Sequence, residues 1–344
     1  MGETVHGVDT LADALQLDAE QAGAIARVSE RYPLRITPYY LSLIDPDDPF
    51  DPIRRQCVPD PAELVDDRGA ADPTGEVADS PMPGLVHRYP DRVLLLTTST
   101  CLVHCWHCNR KRLWRNGGPR LECPTIEAVV AYLESHPRVR EVILSGGDPL
   151  TLPRSELQHW VEALRALPQV EVLRVGTRAP VVLPQAVDDE LCALLTGPKP
   201  LWIHTHFNHP RELTAEATAA CERLRRAGIG VNNQTVLLRG VNDTPDTLVD
   251  LCRGLLAIGV RPYYLYHCDP AIGVSHFRTP VSRGLEILSA LRGHLSGLAQ
   301  PLYAVDLPGG GGKVHLEPDS VVEREGPTLR LRSFDGKIRK YPDG

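Results

Sequence analysis

Residues Val93 to Cys108 read VLLLTTSTCLVHCWHC. The first part, Val93–Thr98, is a short β-rich run. Directly behind it stand Cys101, Cys105 and Cys108, three thiols on one short loop. The strand-then-helix rhythm begun here repeats along the chain. Further β-rich runs lie at Glu141–Leu144, Glu171–Gly176, Leu201–His206, Val231–Leu238, Arg261–Tyr266 and Leu302–Asp306. Helical stretches such as Thr125–Ser135 and Ser155–Leu167 separate them. Strands spaced by helical patterns of about 10–15 residues imply right-handed βαβ units and a parallel sheet. This many units predict an α/β fold of the partial (β/α)6-barrel type, with chemistry at the C-terminal strand ends.

Outside this rhythm, residues 1–80 read as an N-terminal helical and loop region. Thr10 to Arg31 has helical periodicity (Leu11, Leu15, Ala22, Ile25, Val28), followed by a stretch dense in Pro and Asp. Residues 81–318 carry the barrel and its site. Residues 319–344 read as a polar β-hairpin, Thr328–Arg332 and Lys337–Tyr341 flanking Asp335-Gly336. The 344 residues are 42% hydrophobic and 24% charged, enough to bury a core. Lys plus Arg is 37 and Asp plus Glu 44, a net charge of −7, which argues against nucleic acid or an anionic membrane as the main partner. No apolar stretch nears the ~18 residues of a membrane span, and the acidic N-terminus does not read as a signal peptide. The expected location is cytoplasmic. Nine cysteines there are not a disulfide framework. Cys57, Cys123, Cys192, Cys221, Cys252 and Cys268 are scattered singly, and Cys192, Cys221 and Cys252 fit helical apolar patterns as small hydrophobes.

The clustered triplet admits two readings. Three thiolates can ligate three irons of a [4Fe–4S] cluster and leave the fourth iron open to chelate S-adenosylmethionine (SAM). One electron into the sulfonium then cleaves a C–S bond and yields a 5′-deoxyadenosyl radical. The same thiols with His104 or His107 make a Cys3His zinc site, as in a non-catalytic metal-binding protein. Ser145-Gly146-Gly147-Asp148-Pro149, closing the next strand, favours the first: its glycines would let a ligand approach the backbone closely. The two motifs together point to radical SAM chemistry.

A second site lies at Asp306-Leu307-Pro308-Gly309-Gly310-Gly311-Gly312-Lys313. It is no phosphate-cradling P-loop, because no Ser or Thr follows the lysine. A lysine on a mobile glycine run suits a Schiff base with pyridoxal phosphate (PLP), and equally a solvated turn. Asp269 and Asp306, both at strand ends, would hold a distal ammonium if they share a pocket, or act as ordinary loop carboxylates. Arg110, Lys111 and Arg112 offer a carboxylate site, and Arg88 and Arg92 a phosphate site.

Taken together, RITPYYLSLIDPDDPFDPIRRQ, HRYPDRVLLL, CLVHCWHC, LSGGDPL, GTRAPVVLPQ, THFNHP, NNQTVLLRGVND, RPYYLYHCD, HFRTPVS, LRGHLSG and VDLPGGGGK resemble the lysine 2,3-aminomutase family from about Ile36 onward. The resemblance implies a radical SAM and PLP enzyme converting L-lysine to L-β-lysine, served by a one-electron donor of flavodoxin or ferredoxin type. It makes Cys101, Cys105 and Cys108 the cluster ligands and Lys313 the Schiff-base lysine. Arg110 would hold the substrate α-carboxylate, and Asp269 and Asp306 its ε-ammonium. Arg88, Arg92 and Gln234 fall around the PLP phosphate. His107, Ser145, Gly146, Gly147, Asp148, Thr177, His206 and Gln234 fall in the motifs lining the SAM side.

Two positions depart from the family. Its lysine enzymes commonly carry a zinc-binding Cys cluster across a subunit interface, with one Cys just after GVND. Here that residue is Thr244 and no Cys follows Cys268, so a homo-oligomer would lack intersubunit zinc. Trp106 stands where the family often has Arg, with altered packing or redox potential as the expected consequence. Two facing carboxylates disfavour a glutamate side chain. L-arginine fits the charge, though its guanidinium is longer and planar. The branch that makes β-lysine for elongation factor P has a similar core but departs from this chain at Asp306.

Overall fold

A computed structural model describes residues 4–119, 121–326 and 328–343. Nine strands form one sheet in chain order: β1 (Leu85–Tyr89), β2 (Arg92–Thr98), β3 (Glu141–Gly146), β4 (Val172–Gly176), β5 (Leu201–Thr205), β6 (Gly230–Leu237), β7 (Arg261–His267), β8 (Leu302–Leu307) and β9 (Gly312–His315). Each neighbouring pair from β2 to β8 is parallel. The helices Ile126–Glu134, Arg154–Ala166, Asp189–Leu195, Ala215–Arg226, Pro245–Ala257 and Val281–Leu291 provide the crossovers. The outcome is the expected partial α/β barrel, extended at both ends by antiparallel hairpins, β1 on β2 and β9 on β8. Neither hairpin strand is marked by the βα period. The two edge strands approach each other, since the Lys313 amide donates to the Tyr89 hydroxyl at 2.9 Å.

Side-chain alternation divides the sheet into two chemistries. Leu95, Leu144, Leu173, Val175, Ile203 and Leu265 are buried beneath Leu133, Val161, Leu191, Leu224, Leu251 and Leu288 of the helices. That interlayer is the hydrophobic core, and Cys192, Cys221 and Cys252 belong to it as small apolar residues. The register places Ser145, Arg174, His204, Gln234, Tyr264, Tyr266, Asp306 and Lys313 on the opposite, inward face. Threonine caps start several of the helices: Thr125, Thr214 and Thr244 each accept a backbone N–H three residues on. Thr244 therefore has a structural task of its own as a helix cap.

The single helix expected over Thr10–Arg31 is two, Val8–Leu15 and Ala19–Arg31. Gln16 takes the left-handed conformation (φ 51°), and Asp18 with Gln21 forms a capping box that restarts the chain. Leu11, Leu15, Ile25 and Val28 are all still buried, which is why the periodicity looked continuous. At the C-terminus the expected hairpin, β11 (Thr328–Arg332) and β12 (Ile338–Pro342), gains a third antiparallel strand, β10 (Val321–Glu325). No helix among the described residues is long and apolar enough to cross a membrane.

Candidate active site

The cysteine loop leaves the C-terminal end of β2 and is held from two sides. The N-terminal region supplies backbone acceptors: Arg35 O for His104 N at 2.9 Å and Gln56 O for Trp106 N at 3.0 Å. The turn after β3 supplies donors, Gly147 N to Thr98 O at 2.6 Å and Asp148 N to Thr100 O at 2.7 Å. The glycine pair is also required by the packing of the chain itself. Gly146 has φ +121°, and a Cβ there would lie 2.4 Å from Thr98 O. At Gly147 it would lie 2.1 Å from Thr100 O. The space is taken by the protein's own cysteine loop. Gly147→Ala is therefore expected to push that loop off the sheet, destabilising the fold by about 1–3 kcal/mol. Iron bound after reconstitution and Tm should both fall; full iron loading with an unshifted Tm would contradict the contact.

Asp148 and Thr177 hold each other: Thr177 Oγ1 donates to both Asp148 oxygens (2.7 and 2.9 Å), and Arg178 N donates to Oδ2 at 2.9 Å. Burial pushes the Asp148 carboxyl up, against those hydrogen bonds. The pair is buried and ties the end of β3 to the end of β4. Among the imidazoles proposed for zinc, His104 gives Nδ1 to Pro33 O at 2.6 Å and stacks on Trp114 at 4.3 Å. His107 is buried with Nε2 3.4 Å from Asn208 Nδ2. Among the described residues no three His, Cys, Asp or Glu side chains close into a single-ion shell. Burial and then neighbouring thiols push Cys101 and Cys108 up. Thiols in that setting ionise when a metal takes them. Three soft sulfurs on one loop fit iron–sulfur ligation, with Cys101, Cys105 and Cys108 as the donors.

The basic run behind the loop divides its labour. Arg110 gives Nε and Nη2 to the Glu76 carboxylate (2.9 and 2.6 Å) and Nη1 to Ser145 Oγ at 3.2 Å. Burial alone would raise Glu76, but Arg110 and Arg112 hold it down at about 2. One edge of Arg110 is thus fixed by the protein, and the Nη1 end beside Ser145 faces the site. Glu76 sits in the Asp- and Pro-dense stretch, where no periodicity marks it. Lys111 does not serve as a carboxylate site: it is buried, paired with Glu63, and donates to Trp106 O and Gly273 O at 3.2 Å. Arg112 pairs with Asp72 and Glu76. Trp106 is fully buried against Tyr32 and Trp114, so its consequence is packing beneath the loop. His206 lies among Arg178, Arg110 and the Gln234 backbone, and burial followed by Arg178 lowers it to about 4, a neutral imidazole.

Across the inward face, Lys313 stands on β9 directly opposite Asp306 on β8. It is a strand residue, and the part of the run that needs glycine is the turn before it, where Gly309 and Gly310 have φ +67° and +80°. Its Nζ is 3.1 Å from Asp306 Oδ2 and 4.4 Å from the centre of the Tyr266 ring. Gln234 Nε2 reaches the Tyr266 hydroxyl at 3.4 Å. Asp269 accepts from Asn109 Nδ2 at 3.0 Å and is pushed up to about 6 by burial and then by Asp306. The two carboxylates and the lysine therefore share one place. Arg92 packs over Tyr89 at 3.9 Å and pairs with Asp91, which brings it to the Lys313 side of the sheet. Arg88 is bound to Asp79 at 2.5 Å and to Thr74 O, so a phosphate would meet only its remaining donors. A primary amine over an aromatic floor, with Gln234 and Arg92 nearby, fits a PLP site in which Lys313 is the anchoring residue.

Comparison with known proteins agrees with this chemistry. Residues 95–252 match the profile of the radical SAM superfamily, and residues 288–344 that described as lysine-2,3-aminomutase. An L-lysine 2,3-aminomutase of Clostridium subterminale is 45% identical over 342 residues, 98% of this chain and 82% of that protein. A putative L-lysine 2,3-aminomutase of Aquifex aeolicus is 48% identical over 330 residues, 95% of this chain and 89% of that one. A glutamate 2,3-aminomutase of Clostridioides difficile is 38% identical over 343 residues, 100% and 81%.

Proposed function

The chain belongs to the lysine 2,3-aminomutase family of radical SAM enzymes, and on that premise we propose that it isomerises L-lysine to L-β-lysine, moving the α-amino group to Cβ. The observation that carries the choice of substrate is the acidic pair Asp269 and Asp306 beside Lys313. Two carboxylates attract a distal ammonium, whereas the γ-carboxylate of glutamate would be repelled and desolvated without a partner.

The chain's own groups then have distinct tasks. The Nη1 end of Arg110, braced by Glu76, receives the α-carboxylate, and Asp269 and Asp306 fix the far end of the side chain. Holding a flexible substrate at both ends places Cβ at a defined point, the condition for a selective hydrogen transfer. Lys313 Nζ is the amine that would hold the PLP aldehyde carbon, a place the substrate amine would take in turn. Tyr264 and Tyr266 cover that position with ring faces and keep water from it. When bound, the cluster and SAM would supply a 5′-deoxyadenosyl radical, and PLP would delocalise the unpaired electron while the amino group migrates. The electron enters from a flavodoxin- or ferredoxin-type donor.

The elevated Asp269 sets a pH limb. As pH falls below about 6 this carboxylate takes a proton and loses its attraction for the ammonium, so kcat/KM for lysine is expected to decline there. Unfolding would not explain the decline. A carboxyl raised in the folded state above its ordinary value of about 3.9 favours the folded form as pH drops through that window. Asp269→Asn should flatten the limb at a lower rate; an unchanged limb would place the titration elsewhere.

The function itself is tested anaerobically with reconstituted protein, SAM, PLP, reductant and L-lysine, reading β-lysine by mass spectrometry beside L-arginine, L-glutamate and L-alanine. β-Lysine without net loss of SAM is expected. SAM cleavage to 5′-deoxyadenosine with no β-lysine would retain the radical chemistry and reject the substrate.

A further inference from the structure

Arg178 follows β4 by two residues and is buried, and its side chain crosses to the cysteine loop. Nη1 donates to Cys105 Sγ at 2.9 Å. The rest of the guanidinium is fixed elsewhere: Nε to His206 O at 3.1 Å, and Nη2 to Glu212 Oε1, Gln56 Oε1 and the Tyr40 hydroxyl at 2.8, 2.6 and 2.8 Å. The backbone is held as well, by Asp148. A guanidinium pinned at its Nε and Nη2 positions presents Nη1 in one direction, and that direction is a sulfur that ligates the cluster under the radical SAM reading.

We propose that Arg178 sets the reduction potential of the cluster, raising it by donating a hydrogen bond to the Cys105 sulfur. Adding one electron makes the cluster and its sulfurs more negative, and an N–H aimed at such a sulfur stabilises the reduced form more than the oxidised form. The effect is amplified away from water, where the donor is already oriented and need not reorganise. Glu212 balances the arginine charge in the same network, at 2.8 Å and fully buried. The local net charge is therefore near zero, and what reaches the cluster is chiefly the directed N–H dipole. Every polar partner of the Arg178 side chain is a protein group, and it acts through Cys105 as a positioning residue.

This inference rests on the radical SAM reading, and the experiment separates the two. Wild type, Arg178→Gln/Glu212→Gln and Arg178→Lys are reconstituted anaerobically, and iron and sulfide are counted first. Failure of the wild type to load a cluster would reject the underlying reading. The loaded proteins are then titrated against dithionite-poised mediators, with the reduced cluster read by electron paramagnetic resonance. The double variant removes one cation and one anion together, so a shift cannot come from net charge. The expected result is a reduced-to-oxidised ratio about tenfold lower than wild type at the same poise, 59 mV for a one-electron couple. Arg178→Lys, whose ammonium lacks the planar fork, should move in the same direction. A wild-type midpoint in either loaded variant would overturn the proposal. So would loss of the cluster from both variants, since Arg178 would then be needed for folding the loop instead.

Discussion

Lys313→Ala is expected to lower turnover on the order of 10⁴-fold or more, the scale of losing a covalent catalyst, with iron and sulfide content unchanged. The two halves of that result come from the architecture. Lys313 lies on β9, whose pairing is with β8 and whose amide meets Tyr89 on β1. The cysteine loop is held by Arg35, Gln56, Thr98 and Thr100, none of which contacts β9 through the lysine side chain. Absorbance of the PLP-loaded protein is the direct check, because the band from the lysine–PLP linkage should vanish in the variant. A retained band would assign the linkage to another lysine. The substitution also strips Asp306 of its cation at 3.1 Å and removes the charge that lowers Asp269. Asp269 should then titrate above about 6, which the pH dependence of lysine binding would report.

Asp306→Asn should cost lysine turnover about 2–4 kcal/mol, roughly 30- to 1,000-fold in kcat/KM. Asparagine fills the same volume but offers a dipole where the distal ammonium needs an anion. The remaining Asp269 supplies only one of the two anions facing that end of the site. A second readout distinguishes this from general damage. Asp306 is among the groups pushing Asp269 up, so its removal moves the acid limb of kcat/KM to lower pH. Normal lysine kinetics in the variant would remove Asp306 from the substrate site. Iron and PLP content serve as controls.

Much of this was readable locally. Alternation of period two and helical spacing announce β2 to β8 and their helices, because each element buries one stripe against the same interlayer. The thiol spacing announces a metal-binding loop because all three donors come from one short segment, and the glycine motif after the next strand tips the reading to iron–sulfur. Short hairpin strands such as β1 and β9 carry too few residues for a period, and β9 opens inside a glycine run. The break at Gln16 escaped because Leu11 and Leu15 on one helix and Ile25 and Val28 on the next face one core. The sequence places Thr177 in a motif of the site and gives its neighbour Arg178 no mark of its own. Nothing local distinguishes an arginine aimed at Cys105, 73 residues away, from one on a solvated surface.

Sequence by itself determined the barrel and the grouping of three thiols on one loop, because each depends on residues adjacent in the chain or repeated along it. Tertiary structure alone decided which charges meet. Glu76 braces Arg110, Glu212 balances Arg178, Glu63 removes Lys111 from the site, and Asp306 joins Asp269 at Lys313. The reason is physical: an ion pair depends on distance and burial in space, and separation along the chain constrains neither.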